Sequence, residues 1–326
     1  MSNATIAPKR RETFSISIAA RESDMMNIEI TKSFSEATSK CVRDGFTVVD
    51  HLIMLLAMKL WKAILGYAVG VFVLSALLAP WCFWVVHPWW ETVPFRRVFN
   101  RVILGVALVG LWPLLRSAQV RSWREVGYAA QAGWWRQMLW GVGLGLISYG
   151  IGGVLLSPSL QWGERPWRVA GFALTGVVVA LIEETFFRGG LQNVFQRQMK
   201  PWLAVFLTSG IYSVLHFLKP SGAHIPDEAV TWVSGFEYLA RVAACSFRET
   251  GVWRSVVTLW LAGGVLGWAF VRTKALYLSI GLHAGWVFAL KTLSWMGGGS
   301  VVSNPLIWPV MVLMVAGIEC WARRNN

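Results

Sequence analysis

The sequence predicts an all-α fold, a polytopic transmembrane bundle of about eight helices. Hydrophobic residues make up 55% of the 326 positions and charged residues only 14%, a composition too apolar for a soluble globular domain. Apolar stretches of about 20 residues, the length of helix that crosses about 30 Å of hydrocarbon, follow one another along most of the chain. Many of the 21 tryptophans stand near the ends of these stretches, as an interfacial aromatic belt would place them.

Eight apolar stretches are long enough to be membrane-spanning helices. The second is short and has Asn100 and Arg101 near its start, so it is the weakest of the eight. The predicted spans cover residues 61–86, 98–115, 138–157, 168–195, 201–218, 255–271, 275–291 and 305–322.

A glycine-rich run, GVGLGLISYGIGG, occupies residues 141–153 of the third predicted span. No strand precedes it and its surroundings are apolar, so it predicts close packing between helices rather than a phosphate-binding loop. His283 stands between Gly281 and Gly285, a pattern that also suits a small-residue helix interface.

The longest predicted loop, residues 219–254, separates the fifth and sixth spans. In its second half Phe236 and Leu239 are interleaved with Glu237 and Arg241. This pattern predicts a short amphipathic helix at the membrane surface. We favour an ordinary interfacial helix, and a lid is the alternative.

Residues 1–58 are polar, mixed in charge and without a long apolar run. The first apolar stretch begins too far from the start to belong to a secretory signal peptide. We therefore interpret this segment as a cytoplasmic extension that is partly disordered.

The net charge of +13 is spread over short loops and the amino-terminal segment. Such placement is typical of topology signals and of contact with anionic lipid, and it argues against nucleic-acid binding. With both termini in the cytoplasm, two thirds of the 30 Lys and Arg residues lie on that side, so we expect this orientation in the cell membrane. The four cysteines are far apart and indicate neither a disulfide framework nor a thiolate metal site.

The segment LIEETFFRGGLQ, residues 181–192, places two adjacent carboxylates at the end of an apolar run. Ionised groups inside a bilayer are costly unless they are paired or hydrated. Glu184 and Arg188 are i, i+4 neighbours on a helix and predict an ion pair. Glu183 is rotated by about 100° from Glu184 and cannot share the arginine equally, which leaves its carboxylate available for chemistry.

Two histidines are candidates to join Glu183. If the fourth helix continues to a turn near Pro201, Glu183 and His216 are equally far from that turn and lie at similar depth. His283 lies about 14 Å into the seventh span, whereas Glu183 and His216 lie about 24 Å from their turn. The three side chains meet only if that turn protrudes from the membrane surface or the seventh helix starts deeper.

This set of side chains suits hydrolysis of a peptide bond. Removal from water disfavours the charged form of a carboxylate and so strengthens it as a general base. Glu183 and His216 would together deprotonate a water that attacks a peptide carbonyl, and His283 would donate to the oxyanion. We expect no cofactor, and a zinc ion bound by Glu183, His216 and His283 is the alternative.

Three short motifs follow in order along the chain: EETFFR, YSVLH and GLHAGWVF. They resemble the EExxxR, FxxxH and HxxxN motifs of the CPBP family, also called ABI or CAAX-type intramembrane proteases. The likeness covers about residues 165 to 295. It implies a helical bundle with a membrane-embedded cavity, and a glutamate-dependent endopeptidase that acts on a membrane-associated protein or peptide.

The resemblance also implies catalytic roles for five residues. Glu183 would activate the water with the help of His216, Glu184 and Arg188 would form a supporting pair, and His283 would help to stabilise the oxyanion. The chain would then divide into a cytoplasmic extension (1–58), amino-terminal transmembrane helices (59–160), a CPBP-like catalytic core (161–295), and a final transmembrane helix with its tail (296–326).

Two positions depart from the family pattern. Tyr212 replaces the phenylalanine of the second motif and keeps the ring. Val287 stands where the family usually has asparagine, and the loss of one oxyanion donor typically lowers the rate by about 100- to 1000-fold. Ser279, one turn before His283, is a candidate substitute, whereas Asn193 is too far along its helix.

Two other functions compete with the protease. A non-catalytic immunity or scaffold protein of the same fold is supported by Val287. An ion-coupled transporter would use Glu183, His216 and His283 as a relay, although the broken inverted repeats of transporters are not evident. A prenylated CAAX tail, a bacterial peptide precursor and a regulatory membrane protein all suit the protease as substrates. The sequence does not predict which oligomeric state the protein adopts.

Overall fold

A computed structural model describes residues 59–129, 132–156, 161, 165–217, 223–246, 252–298 and 302–325. In these ranges the regular structure is helical throughout, which confirms the predicted all-α class. The predicted extension at residues 1–58 lies outside the described residues.

The helices are numbered in chain order from the first described one. A π-helical segment, Thr185–Gln192, joins α5 to α6, and a short 3₁₀ turn, Asp227–Ala229, precedes α8. The helices are α1 (Lys59–Val86), α2 (Phe95–Ser117), α3 (Trp123–Val126), α4 (Trp134–Leu156), α5 (Arg168–Glu184), α6 (Asn193–Gln196), α7 (Pro201–Phe217), α8 (Ser234–Cys245), α9 (Val252–Thr273), α10 (Tyr277–Trp295) and α11 (Ile307–Asn325).

Each of the eight predicted spans is a helix: α1, α2, α4, α5 with α6, α7, α9, α10 and α11. Among the described residues, four helices are long and apolar enough to cross a membrane: Lys59–Val86, Phe95–Ser117, Arg168–Gln196 and Val252–Thr273. Large apolar side chains such as Leu65, Val109 and Leu174 are more than half exposed on them. An outward apolar surface of this kind is stable in lipid, so the prediction of a helical membrane bundle is confirmed.

Helices α4 and α10 pack closely enough for their backbones to touch. A Cβ atom on Gly145 or Gly285 would lie 2.5 or 2.6 Å from a carbonyl oxygen of the opposite helix, and Gly141 and Gly281 make the same kind of contact. Small residues permit this approach where lipid supplies no hydrophobic drive for helix association. The glycine-rich run therefore packs helices, as predicted, and it does so against the helix that carries His283.

The predicted amphipathic helix of the long loop is α8. Tyr238 and Val242 are buried on it, and Gly235 backs directly onto the α1 backbone at Ala76. Phe236 is 41% exposed. The main aromatic residue on the buried face of α8 is therefore Tyr238 and not Phe236. The helix packs against the bundle, and its place at the membrane surface stays a prediction.

The glycine contacts predict a difference between two neighbouring positions of α4. Gly145→Ala is expected to destabilise the protein by about 1–3 kcal/mol, because the added methyl group meets backbone that cannot move aside. Gly143→Ala is the matched control, since a Cβ there meets nothing within 4 Å and alanine favours a helix by up to about 1 kcal/mol. Thermal unfolding in detergent measures both, and equal midpoints would contradict this packing.

Candidate active site

One continuous helix carries both acidic residues. α5 ends at Glu184, the π segment follows, α6 ends at Gln196 and Pro201 begins α7, so the predicted course of the fourth span is confirmed. π segments inside helices are frequent at functional sites. Gly189 allows α3 to approach the π segment, and Gly190 allows α2 to approach it. A Cβ at either position would lie within 2.7 Å of a side chain of the approaching helix.

The structure brings Glu183 together with both predicted histidines. The Oε2 atom of Glu183 lies 3.7 Å from Nε2 of His216 and 3.7 Å from Nε2 of His283. The side chains of Glu183 and His216 are 27% and 32% exposed, whereas that of His283 is 5% exposed. The three groups thus form a cluster that is open on the side of Glu183 and His216 and closed behind His283.

The depth of His283 follows from where α10 begins. Leu276, just before α10, packs against the π segment, since a Cβ on Gly189 would lie 3.3 Å from its Cδ1 atom. The seventh predicted span therefore starts level with Gly189, deeper than the turn that precedes Pro201. Seven residues of helix, about 10 Å, then bring His283 to the height of Glu183, which resolves the mismatch in depth.

Glu184 is completely buried and accepts hydrogen bonds from two side chains. Its Oε1 atom accepts from Arg188 Nη1 at 3.0 Å and from His283 Nδ1 at 2.7 Å. Arg188, also completely buried, donates through Nη2 to the carbonyl oxygen of Gly263 on α9 at 3.1 Å. The predicted Glu184–Arg188 pair is present, and it connects α5, α9 and α10.

Hydrogen bonds orient both imidazole rings. His283 Nδ1 faces the Glu184 carboxylate, and His216 Nδ1 lies 2.8 Å from the carbonyl oxygen of Tyr212. Because both partners only accept, each Nδ1 carries a proton. Both Nε2 atoms then face the carboxylate of Glu183, where a water molecule or a reacting group can be held.

The ring of Tyr212 is packed among the polar groups of the site. Its centroid lies 4.3 Å from that of His216 and 6.3 Å from that of His283, and the guanidinium carbon of Arg188 lies 4.8 Å from it. A cation over an aromatic face is favourable when it is desolvated. The ring of the second motif therefore supports the site, and tyrosine supplies it as phenylalanine would.

The other positions discussed from the sequence lie around this centre. Val287 is half-buried, one turn beyond His283 on α10. The hydroxyl of Ser279 is buried and donates to the carbonyl oxygen of Leu276, just before α10, at 3.0 Å. Its proton is therefore already used and is not directed toward an oxyanion. Ser279 is thus a poor substitute for the missing asparagine.

Asn193 lies outside the site, as expected, and helps to hold α3 on the end of α6. Its Nδ2 atom donates to the carbonyl oxygen of Glu125 at 2.7 Å, and Arg197 pairs with the Glu125 carboxylate at 3.5 Å. A hydrogen bond from the Ser122 hydroxyl lowers the pKa of the exposed Glu125 carboxyl below its usual range. α3 thereby stays in place beside the π segment.

Sequence reasoning missed the groups that hold the charged pair in place. The contact of Glu184 with His283 joins residues 99 positions apart, and that of Arg188 with Gly263 joins residues 75 positions apart. Backbone carbonyl partners leave no side-chain signal, and helix spacing reports only on neighbours within a helix. The second partner of each residue could therefore be found only from the structure.

By donor type, Glu183, His216 and His283 are the residues able to hold a zinc ion. The engaged Nδ1 atom of each histidine is also what zinc-bound imidazoles usually show. Among the described residues, however, no group of three or more His, Cys, Asp or Glu side chains is arranged closely enough to hold a metal ion. Zinc therefore stays the alternative to a water held by the same three side chains.

The fold and this cluster define a class: a helical integral membrane protein with one glutamate and two histidines converging inside the bundle. Residues 165–289 match the family model described as Type II CAAX prenyl endopeptidase Rce1-like. The match contains all five predicted site residues and confirms the resemblance to CAAX-type intramembrane proteases. No curated protein matches the chain.

The charged network predicts a large effect of a single substitution. Arg188→Met is expected to destabilise the protein by about 3–5 kcal/mol, because it leaves the buried Glu184 carboxylate without its cation. Adding Glu184→Gln removes that charge and keeps an acceptor for His283, so the double variant should recover much of the loss. Thermal unfolding of the single and double variants in detergent measures both effects.

Arg197→Met is the matched control, because its pair with Glu125 is about one third exposed and exposed pairs contribute at most about 1 kcal/mol. If Arg188→Met and Arg197→Met unfold at the same temperature, the buried network does not stabilise the fold.

Proposed function

We propose that this protein is an intramembrane endopeptidase that hydrolyses a peptide bond of a membrane-associated protein or peptide. The observation that carries the proposal is the convergence of two imidazole Nε2 atoms on one carboxylate oxygen, each at 3.7 Å. The match of residues 165–289 supports a CAAX-type intramembrane protease at the level of the family. The catalytic roles below are the finer part of the proposal.

Glu183 is the proposed general base. Its Oε2 atom is buried and has no hydrogen-bond partner among the described residues, so it is placed to accept a proton from a water held between it and His216. As the water oxygen attacks the scissile carbonyl carbon, its proton moves to Glu183. The same proton is then passed to the leaving amine as the C–N bond breaks, which returns the carboxylate to its starting form.

His283 is the proposed oxyanion partner. A ring that is protonated on both nitrogens donates from Nε2 as well as from Nδ1. The Glu184 carboxylate accepts from Nδ1 and is itself held by Arg188, so the ring is fixed with Nε2 toward Glu183. The negative charge that develops on the substrate carbonyl oxygen would therefore meet a donor that is already oriented.

Prenylated C-terminal CAAX peptides are the first substrates to test, because the family description names that class of peptidase. A membrane-embedded substrate can approach from the side on which Glu183 and His216 are partly exposed. We further propose that both termini lie in the cytoplasm and that the protein resides in the cell membrane, since the distribution of Lys and Arg favours this orientation.

A non-catalytic scaffold of the same fold is the second candidate, and Val287 is the observation that favours it. An aliphatic side chain on the turn after His283 cannot donate to an oxyanion. The buried Glu184–Arg188 pair would be retained in such a protein for its packing. The partly exposed side chains of Glu183 and His216 would then have no function.

Glu183→Gln is expected to lower cleavage of a prenylated CAAX peptide by at least about 100-fold, since an amide cannot accept the proton from water. The change is nearly isosteric, so thermal stability and membrane insertion should stay as in the wild type. Comparing peptide termini in membranes that contain either protein extends the test to unidentified substrates.

Glu228→Gln is the matched control, because it makes the same chemical change on an exposed 3₁₀ turn and should leave cleavage unaltered. Equal cleavage by wild type and Glu183→Gln would refute the proposed base and favour the scaffold. Loss of wild-type activity on chelation, with recovery on adding zinc, would favour the metal alternative.

Val287→Asn restores an amide donor one turn beyond His283 and is expected to raise kcat, at most by the factor of about 100 to 1000 that one oxyanion donor supplies. Val287→Leu keeps an apolar side chain and serves as the control. Unchanged turnover in Val287→Asn would mean that another donor already occupies this role.

A further inference from the structure

Polar side chains continue along the helix beyond the acidic pair at every fourth position: Glu184, Arg188, Gln192 and Gln196. The first three are at most 1% exposed, although they lie in a segment long and apolar enough to cross a membrane. Polar residues at such depth are rare and usually have a task. The proposed chemistry uses the first two, and it leaves the two glutamines unexplained.

One atom of each long side chain ties the helix to α9. Arg188 donates to the Gly263 carbonyl oxygen at 3.1 Å, and Gln192 donates to that of Gly267 at 3.0 Å. The two carbonyls are four residues apart, as are the two donors, so the contacts repeat in register. These bonds account for one polar group of each residue.

Five further polar atoms along the same line have no hydrogen-bond partner among the described residues. Each is buried, and burying a polar atom without a hydrogen bond is unfavourable. Among the described residues, the buried side-chain atoms here without a hydrogen-bond partner are Glu184 Oε2, Arg188 Nε, Gln192 Oε1, Gln196 Nε2 and, on α7, Thr208 Oγ1.

Thr208 belongs to this line because of where it lies on α7. Tyr212, one turn later, stacks on Arg188, and Val205, one turn earlier, lies beside Gly267, as Gln192 does. The buried Thr208 hydroxyl therefore lies between the heights of Arg188 and Gln192. We call Glu184, Arg188, Thr208, Gln192 and Gln196 the polar seam.

Donors and acceptors alternate along the polar seam. The carboxylate oxygen of Glu184 accepts, Arg188 donates, the Thr208 hydroxyl does both, the Gln192 oxygen accepts and the Gln196 amide donates. Water, which has two donors and two acceptors, satisfies such a sequence, and a buried water typically makes about three hydrogen bonds. A dry seam would instead leave five buried polar atoms unpaired.

We propose that the polar seam holds a file of ordered water molecules that connects the Glu183 site with the membrane surface. The seam spans about three helical turns and ends at Gln196, beside Arg197 and Lys200, which are exposed. Its role in supply rests on the proposed function, because every peptide bond that is hydrolysed consumes one water at a site surrounded by lipid.

Thr208→Val tests the seam, since valine keeps the shape of threonine and removes only the hydroxyl. With water in the seam, the variant loses a hydrogen-bond partner for that water, so its thermal midpoint in detergent falls. Cleavage of the prenylated CAAX peptide is expected to show a several-fold lower kcat with an unchanged KM. Thr208→Ser keeps the hydroxyl and should behave as the wild type.

Ser209→Ala is the matched control, because the Ser209 hydroxyl already donates to the Val205 carbonyl oxygen of its own helix at 2.6 Å. A Thr208→Val midpoint equal to or above that of the wild type overturns the proposal, since removing a dry, unpaired hydroxyl is stabilising. Unchanged kcat in Thr208→Val overturns the role in water supply. The midpoints need no substrate, so they test the seam even where Glu183→Gln shows that the protein is not a protease.

Discussion

The burial of the Glu184 carboxylate is the constraint on which the rest of the site depends. A completely buried charge is tolerated only when partners of opposite charge and good geometry surround it. Arg188 supplies the charge and His283 supplies a second hydrogen bond, from a helix that is distant in sequence. Because Arg188 is in turn fixed to the Gly263 carbonyl, a single carboxylate sets the relative positions of α5, α9 and α10.

Close backbone packing is what allows His283 to reach that carboxylate. The contacts of Gly141 and Gly145 with α10, and of Gly281 and Gly285 with α4, leave α10 little freedom to slide or rotate. The residue between Gly281 and Gly285 is therefore held at a defined height and facing the bundle interior. Packing of small residues and burial of charge act on the same helix, and each limits the displacement that the other would permit.

The sequence was sufficient to predict the helices and part of the site, for physical reasons that differ between residues. Span lengths follow from hydrophobic thickness, and the meeting of Glu183 with His216 follows from counting residues on either side of one turn. The depth of His283 did not follow, because it depends on Leu276 packing against Gly189, a contact that no helical period encodes. The π segment and the burial of Tyr238 in place of Phe236 also depend on tertiary packing.

Glu183 differs from Glu184 in what it contributes to the fold. Glu184, Arg188 and His283 form a connected set whose removal would leave buried charges, so packing alone explains their presence. The carboxylate of Glu183 takes part in none of the hydrogen bonds that join the described helices; its Oε2 atom faces two imidazole nitrogens at 3.7 Å. A buried acceptor without a partner is a cost to stability. Its position is therefore accounted for by the proposed hydrolysis, and not by the hydrogen bonds of the bundle.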